Sequence, residues 1–188
     1  MPSLFLGENH ADHPGGLSNA IEHYSRRQRQ VVRSTFGAET NGAADAVEIA
    51  RMISYTLAEI ITSDCTAAVL TRLDETGQLP IRMQLVIDCR SLYDALRKDE
   101  TQVPREASLI MLLLQLKESL RISSLESIVW CNTHDMVADG LNKGIIARKD
   151  LINSSTTANW SLQHPFQILR ENVKVPVASA QDDALASC

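Results

Sequence analysis

Three acidic side chains stand where carboxylates can act together. Glu39 lies in "STFGAETNGAADAVEIA", residues 34–50, among Thr35, Gly37, Ala38 and Gly42, small residues that leave space around it. Asp88 sits near the end of "IRMQLVIDC", residues 81–89, and Asp139 lies early in "MVADGLNKGIIARKDLI", residues 136–152. Converging carboxylates repel one another unless cations neutralise them. Hard oxygen donors with no Cys or His cluster beside them suit Mg2+ or Mn2+. A carboxylate-held metal pair, about 3.5–4 Å apart, is the usual apparatus for in-line phosphodiester hydrolysis.

Each acid also has a plainer explanation. The macrodipole favours acids in first helical turns, which covers Glu39. An Asp between a strand and a helix is often just an N-cap, which covers Asp88. Asp139, in "VADG", reads as a solvated helix acid. Their shared placement argues for more: in open α/β sheets, sites form at the carboxyl ends of strands, where neighbouring helix starts also converge.

The elements that would carry these acids follow from periodicity. "SLFLG", 3–7, reads as a short strand, "ENHADHPGG", 8–16, as a turn or loop, and "NAIEHYS", 19–25, as a second strand. From Thr35 the period becomes helical, with Ala46, Ala50, Ile53, Leu57 and Ile60 as the expected apolar face and Ser34 or Thr35 as N-cap. This helix should fade near Ser63, leaving a loop or a helical extension as far as Gln78. The run 81–89 is the clearest strand, and its apolar far half suggests burial on both faces, as in a parallel sheet. A short helix over 90–98 and a stronger one with the stripe Leu109, Leu112, Leu113, Leu116 and Leu120 follow. "LESIVWCNT", 125–133, reads as a strand and 136–152 as a helix weakened by Gly140 and Gly144. The remainder reads as a tail whose last dozen residues are disordered. The order implies an α/β domain with one mixed sheet and an early antiparallel hairpin.

Composition excludes several classes. The 188 residues suffice for one core or a core plus a tail, and 44% hydrophobic content excludes disorder throughout. A net charge of −5 means that any nucleic-acid contact must come from a local basic patch. Aromatic content of 4% argues against base-stacking platforms. Cys65, Cys89, Cys131 and Cys188 are scattered with no C-x-x-C pair, which fits a reduced intracellular setting, cytoplasmic or nuclear, rather than a zinc ribbon. The N-terminal residues lack the pattern of a signal peptide, and the longest apolar stretch is too short to span a bilayer.

At the acids the sequence resembles a known family. "YSRRQRQVVRSTFGAETNGAADA" is similar to the ribonuclease H region of copia-type retrotransposon Pol polyproteins, where a basic segment leads into "V-x-x-S-T-x-A-E" and a long helix. "VIDCRSLYDAL" resembles the family's strand-to-helix junction, and "IVWCNTHDMVADGLNKG" its last strand and "L-A-D-x-L-T-K" helix. The three matches occur in the family's order and cover roughly residues 20–150.

The resemblance implies a ribonuclease H-like mixed sheet flanked by helices over residues 1–155, with 156–188 as a partly disordered C-terminal extension. It implies hydrolysis of the RNA strand of an RNA–DNA hybrid with two Mg2+ ions. Glu39, Asp88 and Asp139 would be the metal-binding catalytic acids, and His134 a loop histidine assisting proton transfer or product release. His134 also has the simpler reading of a solvent-exposed loop residue. The family carries its first catalytic Asp on a central first strand. "SLFLG" aligns better with the family's second strand, so the fold is expected to be truncated at its N-terminus and the activity impaired. Glu8 and Asp12 fall in the hairpin loop and are poor substitutes. Loss of a central strand would also expose the edges of its two neighbours.

Arg26, Arg27, Arg29 and Arg33 could contact phosphates without reading sequence, or could form a solvated basic turn with salt bridges. Ser91 and Asn142 are further candidates for backbone contacts. The expected partners are an RNA–DNA hybrid and an upstream reverse transcriptase domain of the same polyprotein, with no membrane. Two other readings remain: a non-catalytic relic or nucleic-acid-binding module with the same fold, and an unrelated α/β protein whose acids are caps.

Overall fold

A computed structural model describes residues 3–7, 14–23, 34–62, 66–99, 107–137 and 148–171. Their elements, in chain order, are β1 (Ser3–Gly7), β2 (Gly15–His23), α1 (Thr35–Ile61), α2 (Ala67–Glu75), β3 (Met83–Ile87), α3 (Arg90–Arg97), α4 (Ser108–Arg121), β4 (Leu125–Trp130), α5 (Arg148–Thr157), β5 (Asn159–Ser161) and β6 (Gln167–Leu169). A 3-10 turn, Thr133–Asp135, follows β4. The protein is mixed α/β. Among the described residues its strands form two three-stranded sheets, β1-β2-β5 and β3-β4-β6, where the sequence suggested one.

The first sheet is antiparallel. β1 pairs with β2 from Ser3↔His23 to Gly7↔Ser18, with a register shift between Leu4 and Phe5. β2 starts earlier than its sequence suggests, because Gly15 and Gly16 join the ladder with β5 instead of forming a turn. Gly15 has φ +131°, and a Cβ there would stand 2.6 Å from the Trp160 carbonyl oxygen, so only glycine lets the strands approach so closely.

The second sheet holds the main core. β3 and β4 are parallel, and β6 adds to β4 antiparallel. Met83, Leu85, Ile87, Leu125 and Ile128 bury one face against Ala43 and Val47 of α1, Leu92, Tyr93 and Leu96 of α3, and Leu113, Leu116 and Leu120 of α4. Each fully buried leucine contributes about 1.5–3 kcal/mol. On the other face Val129 and Cys131 pack with Leu162, while Val86, Trp160, Phe166 and Ile168 flank them. The continuous apolar character of 85–87 thus does reflect burial on both faces, but the second cover is the C-terminal segment and not a helix.

That cover corrects the reading of residues 156 onward as a tail. Residues 156–171 finish α5 and supply β5 and β6. Their apolar residues are spaced by the needs of the sheet face they cover and carry no helical or strand period, so the pattern was invisible in sequence. Of the helix expected over 136–152, Met136 is not helical, Val137 is in 3-10 conformation, 138–147 lie outside the described residues, and α5 spans Arg148–Thr157.

The face expected for α1 holds in part: Ala46 and Ala50 pack against the core, but the fully buried face is different. It consists of Gly37, Thr40, Ala43, Ala44, Val47, Ser54 and Ala58, whereas Ile60, expected to be buried, is 74% exposed. Small residues let the helix approach its neighbours closely. The polar ones are buried at little cost because Thr40 Oγ1 donates to the Phe36 carbonyl at 2.8 Å and Ser54 Oγ donates to the Ile81 carbonyl at 2.8 Å.

Candidate functional site

The direction of α1 decides where Glu39 lies. Ser54 bonds the chain just before β3, and Arg51 Nη2 lies 3.4 Å from Oγ of Ser124, just before β4. Glu48 accepts from Gln115 Nε2 at 2.6 Å, and Arg51 reaches Ser119 at 3.1 Å, so α1 and α4 advance together. A tight turn then reverses α4 into β4. α1 therefore runs opposite to both parallel strands, and its N-terminal half points to their carboxyl ends. From Ser54 back to Glu39 the helix rises about 22 Å. From Ile81 to Asp88 an extended chain covers about 23 Å. The direction of α1 thus carries Glu39 toward the carboxyl end of the strands, the rim where Asp88 lies.

A polar knot holds this register. Arg51 pairs with Glu48 at 2.7 Å, and its Nε lies 3.2 Å from Asp74 Oδ2, at ion-pair distance without hydrogen-bond alignment. Tyr55 donates to the same Asp74 oxygen at 2.8 Å. Burial, then the hydrogen bond and charge of Asp74, push the Tyr55 phenol up to about 12.

Ser34 is the N-cap of α1, as its type suggested, and its Oγ accepts from Gly37 N–H at 3.1 Å. No acid occupies the first turn. Glu39 lies beyond it, where the macrodipole has faded, so a first-turn role does not explain it. Its side chain is exposed.

Asp88 follows β3 and is half-buried. The N-cap of α3 is Cys89, which makes no side-chain capping bond, so Asp88 is not the cap. Its carbonyl accepts from Trp130 Nε1 at 3.1 Å, which ties the ends of β3 and β4 together. Among the described residues, no hydrogen bond or ion pair engages its carboxylate. Ser91, exposed in the first turn of α3, has Oγ 3.3 Å from Cys89 Sγ. Arg90 was passed over in the sequence. Its guanidinium stacks 4.7 Å from the Trp130 ring centre and 5.6 Å from that of Tyr93, and pairs with Asp94 at 3.1 Å. Its only sequence signal is an arginine two places after the strand-ending acid.

His134 lies on the turn after β4 at the same rim. It is exposed, and its N–H donates to Asn132 Oδ1 at 3.0 Å. Its neighbour Asp135 is buried and was not singled out in sequence. Asp135 Oδ1 accepts from Gln163 N–H at 3.2 Å and meets His164 Nδ1 at 2.9 Å, while Oδ2 accepts from His164 N–H at 2.9 Å. Burial alone would raise the Asp135 pKa, but the hydrogen bonds from the His164 ring, His164 N–H and Gln163 N–H together hold it below the usual value. The partners lie 29 positions apart, so no local motif could have disclosed the pair.

Asp88, Ser91 and His134 lie just beyond the carboxyl ends of β3 and β4, and α1 carries Glu39 toward the same end. Asp139, Asn142, Arg26, Arg27, Arg29 and Arg33 lie outside the described residues. Among the described residues no three His, Cys, Asp or Glu side chains are grouped to hold a metal ion, and no helix is long and apolar enough to cross a membrane. Compared with known proteins, the chain matches no family model, no curated protein and no solved structure.

Proposed function

We propose that the chain is a ribonuclease H-like domain of copia retroelement type, a metal-dependent nuclease by descent with weak activity of its own. The observation that supports this reading is the antiparallel run of α1 against β3 and β4, which carries Glu39 toward the carboxyl end where Asp88 and the His134 turn lie. β1 and β3 each end their sheet with an edge unpaired among the described residues, and α1 touches both strands. In the family a central strand bearing the first Asp stands between the corresponding strands.

Glu39 and Asp88, with Asp139 from beyond the described residues, are the groups that would hold Mg2+ or Mn2+, and their hard oxygen donors suit those ions. A bound pair supplies an activated water and neutralises charge at the scissile phosphate. The half-buried Asp88 carboxylate has no competing partner among the described residues. His134, exposed at the rim, is the imidazole that would assist proton transfer or product release. Arg26, Arg27, Arg29 and Arg33 would meet phosphates, and Ser91 and Asn142 the backbone near the acids. The substrate is an RNA–DNA hybrid recognised by shape and 2′-hydroxyls. An upstream polymerase domain of the same polyprotein is the proposed partner.

The edges of β1 and β3, unpaired among the described residues where the family places the strand bearing its first Asp, favour a second reading, a non-catalytic module that keeps hybrid affinity. One experiment separates the two. A labelled hybrid is incubated with the full chain and with Asp88→Asn, in Mg2+ or Mn2+, and binding is followed by fluorescence anisotropy. Slow cleavage lost in Asp88→Asn supports the nuclease. Binding without cleavage supports the module, and neither binding nor cleavage overturns both.

A further inference from the structure

The pairing of Asp135 with His164, and of His164 with His134, lies beside the carboxylate group above and shares only His134 with it. The buried Asp135 carboxylate meets the His164 ring at Nδ1. That contact fixes the ring's orientation and leaves Nε2 on the side away from Asp135. The ring itself is well exposed, with 44% of its side-chain surface open. His134 places a second exposed imidazole alongside, with ring centroids 5.7 Å apart and planes inclined by 39°. The ring of His134 makes no hydrogen bond or ion pair among the described residues.

Two imidazoles set in this way have the dimensions of a chelate. A zinc ion about 2.0–2.1 Å from a ring nitrogen lies about 3.2 Å from the ring centre, so two imidazoles on one tetrahedral ion have centroids about 5–6 Å apart. The observed centroid spacing of 5.7 Å falls in that range. A carboxylate behind the ligating histidine is the usual outer support of such sites, since it fixes the ring and raises its basicity.

We infer that His134 and His164 form a two-imidazole site for a borderline divalent transition-metal ion of the zinc type, with Asp135 as the positioning residue. Water completes the coordination, as no third Cys, His, Asp or Glu joins the group among the described residues. A bound ion would staple the turn after β4 to the segment between β5 and β6. The site is distinct in chemistry from the carboxylate rim: imidazole nitrogen selects zinc over Mg2+. It does not depend on the nuclease reading.

The test is calorimetric titration of the full chain with zinc chloride in a non-coordinating buffer, with and without excess Mg2+. The expected result is saturable binding of one zinc ion per chain, not displaced by Mg2+, and a rise in melting temperature with zinc. His134→Ala and His164→Ala should abolish binding, and Asp135→Asn should weaken it about 10–100-fold. His134 is exposed, so His134→Ala keeps the fold and the test stands even if Asp135→Asn unfolds. Absence of zinc binding by the wild type, unchanged binding by His134→Ala, or displacement by Mg2+ would overturn the inference.

Discussion

Replacing Arg51 by methionine probes the contact that ties α1, the helix of Glu39, to its neighbours. Methionine keeps an apolar stem but removes the ion pairs with Asp74 and Glu48 and the bonds to Ser119 and Ser124. Asp74 is 7% exposed and, among the described residues, its carboxylate would keep only the Tyr55 hydroxyl as a partner. Breaking a buried pair by removing one member costs about 3–5 kcal/mol, because a charge is left without compensation. Water reaches the Arg51 side chain, which is 20% exposed, so the lower end of that range, about 3 kcal/mol, is expected. For a chain of this size that loss lowers the melting temperature by about 6–12 °C. Urea unfolding would measure the loss directly, and adding Asp74→Asn should recover at least about 1 kcal/mol, since no orphan charge remains. A loss below about 1 kcal/mol for Arg51→Met, or strict additivity in the double variant, would show that the knot is solvated and does not hold the register of α1. The same variant should also weaken any hybrid cleavage without touching the rim, because Arg51 ties α1, which carries Glu39, to α4 and the start of β4.

Two further predictions concern titration. The depressed Asp135 pKa adds stability above its unfolded value of about 3.8, lost as pH falls through the lower folded value, so the urea midpoints of wild type and Asp135→Asn should differ by a constant gap above about pH 5 and converge in more acid solution. A gap that stays constant down to pH 2.5 would refute a charged, hydrogen-bonded Asp135. The raised Tyr55 pKa has the opposite sign: its contribution is complete below pH 10 and is lost as pH rises from 10 to about 12. Ultraviolet titration should show a late tyrosinate step that disappears in Tyr55→Phe, and its persistence there would assign the step to another tyrosine.

The elements with strong local patterns were legible. Ser34 as N-cap, the run of β3, the α3 helix and the α4 stripe through Leu109, Leu113, Leu116 and Leu120 all follow from spacing, because each is dictated by a period shared with one buried face. The face of α1 was legible only in part. Hydrophobicity pointed to Ile53, Leu57 and Ile60, while close approach selected Thr40, Ala43, Ala44 and Ser54, whose small size matters more than their polarity. Among the proposed site residues, the place of Asp88 at a strand end and that of Glu39 on the long helix were legible. Asp135 and His164 were not, since their meeting depends on a C-terminal segment folding back over the second sheet.

By itself the sequence determined the strands β1, β3 and β4, the helices α1, α3 and α4, and which acids stand at their junctions, because those properties depend on near neighbours. Only the tertiary structure decided that the strands divide into two sheets, that α1 runs against β3 and β4, and that residues 160–168 cover the second sheet. Those outcomes depend on contacts between residues remote in the chain: a glycine that admits Trp160, an arginine that ties α1 to α4 and the start of β4, and a carboxylate that captures a histidine 29 positions away.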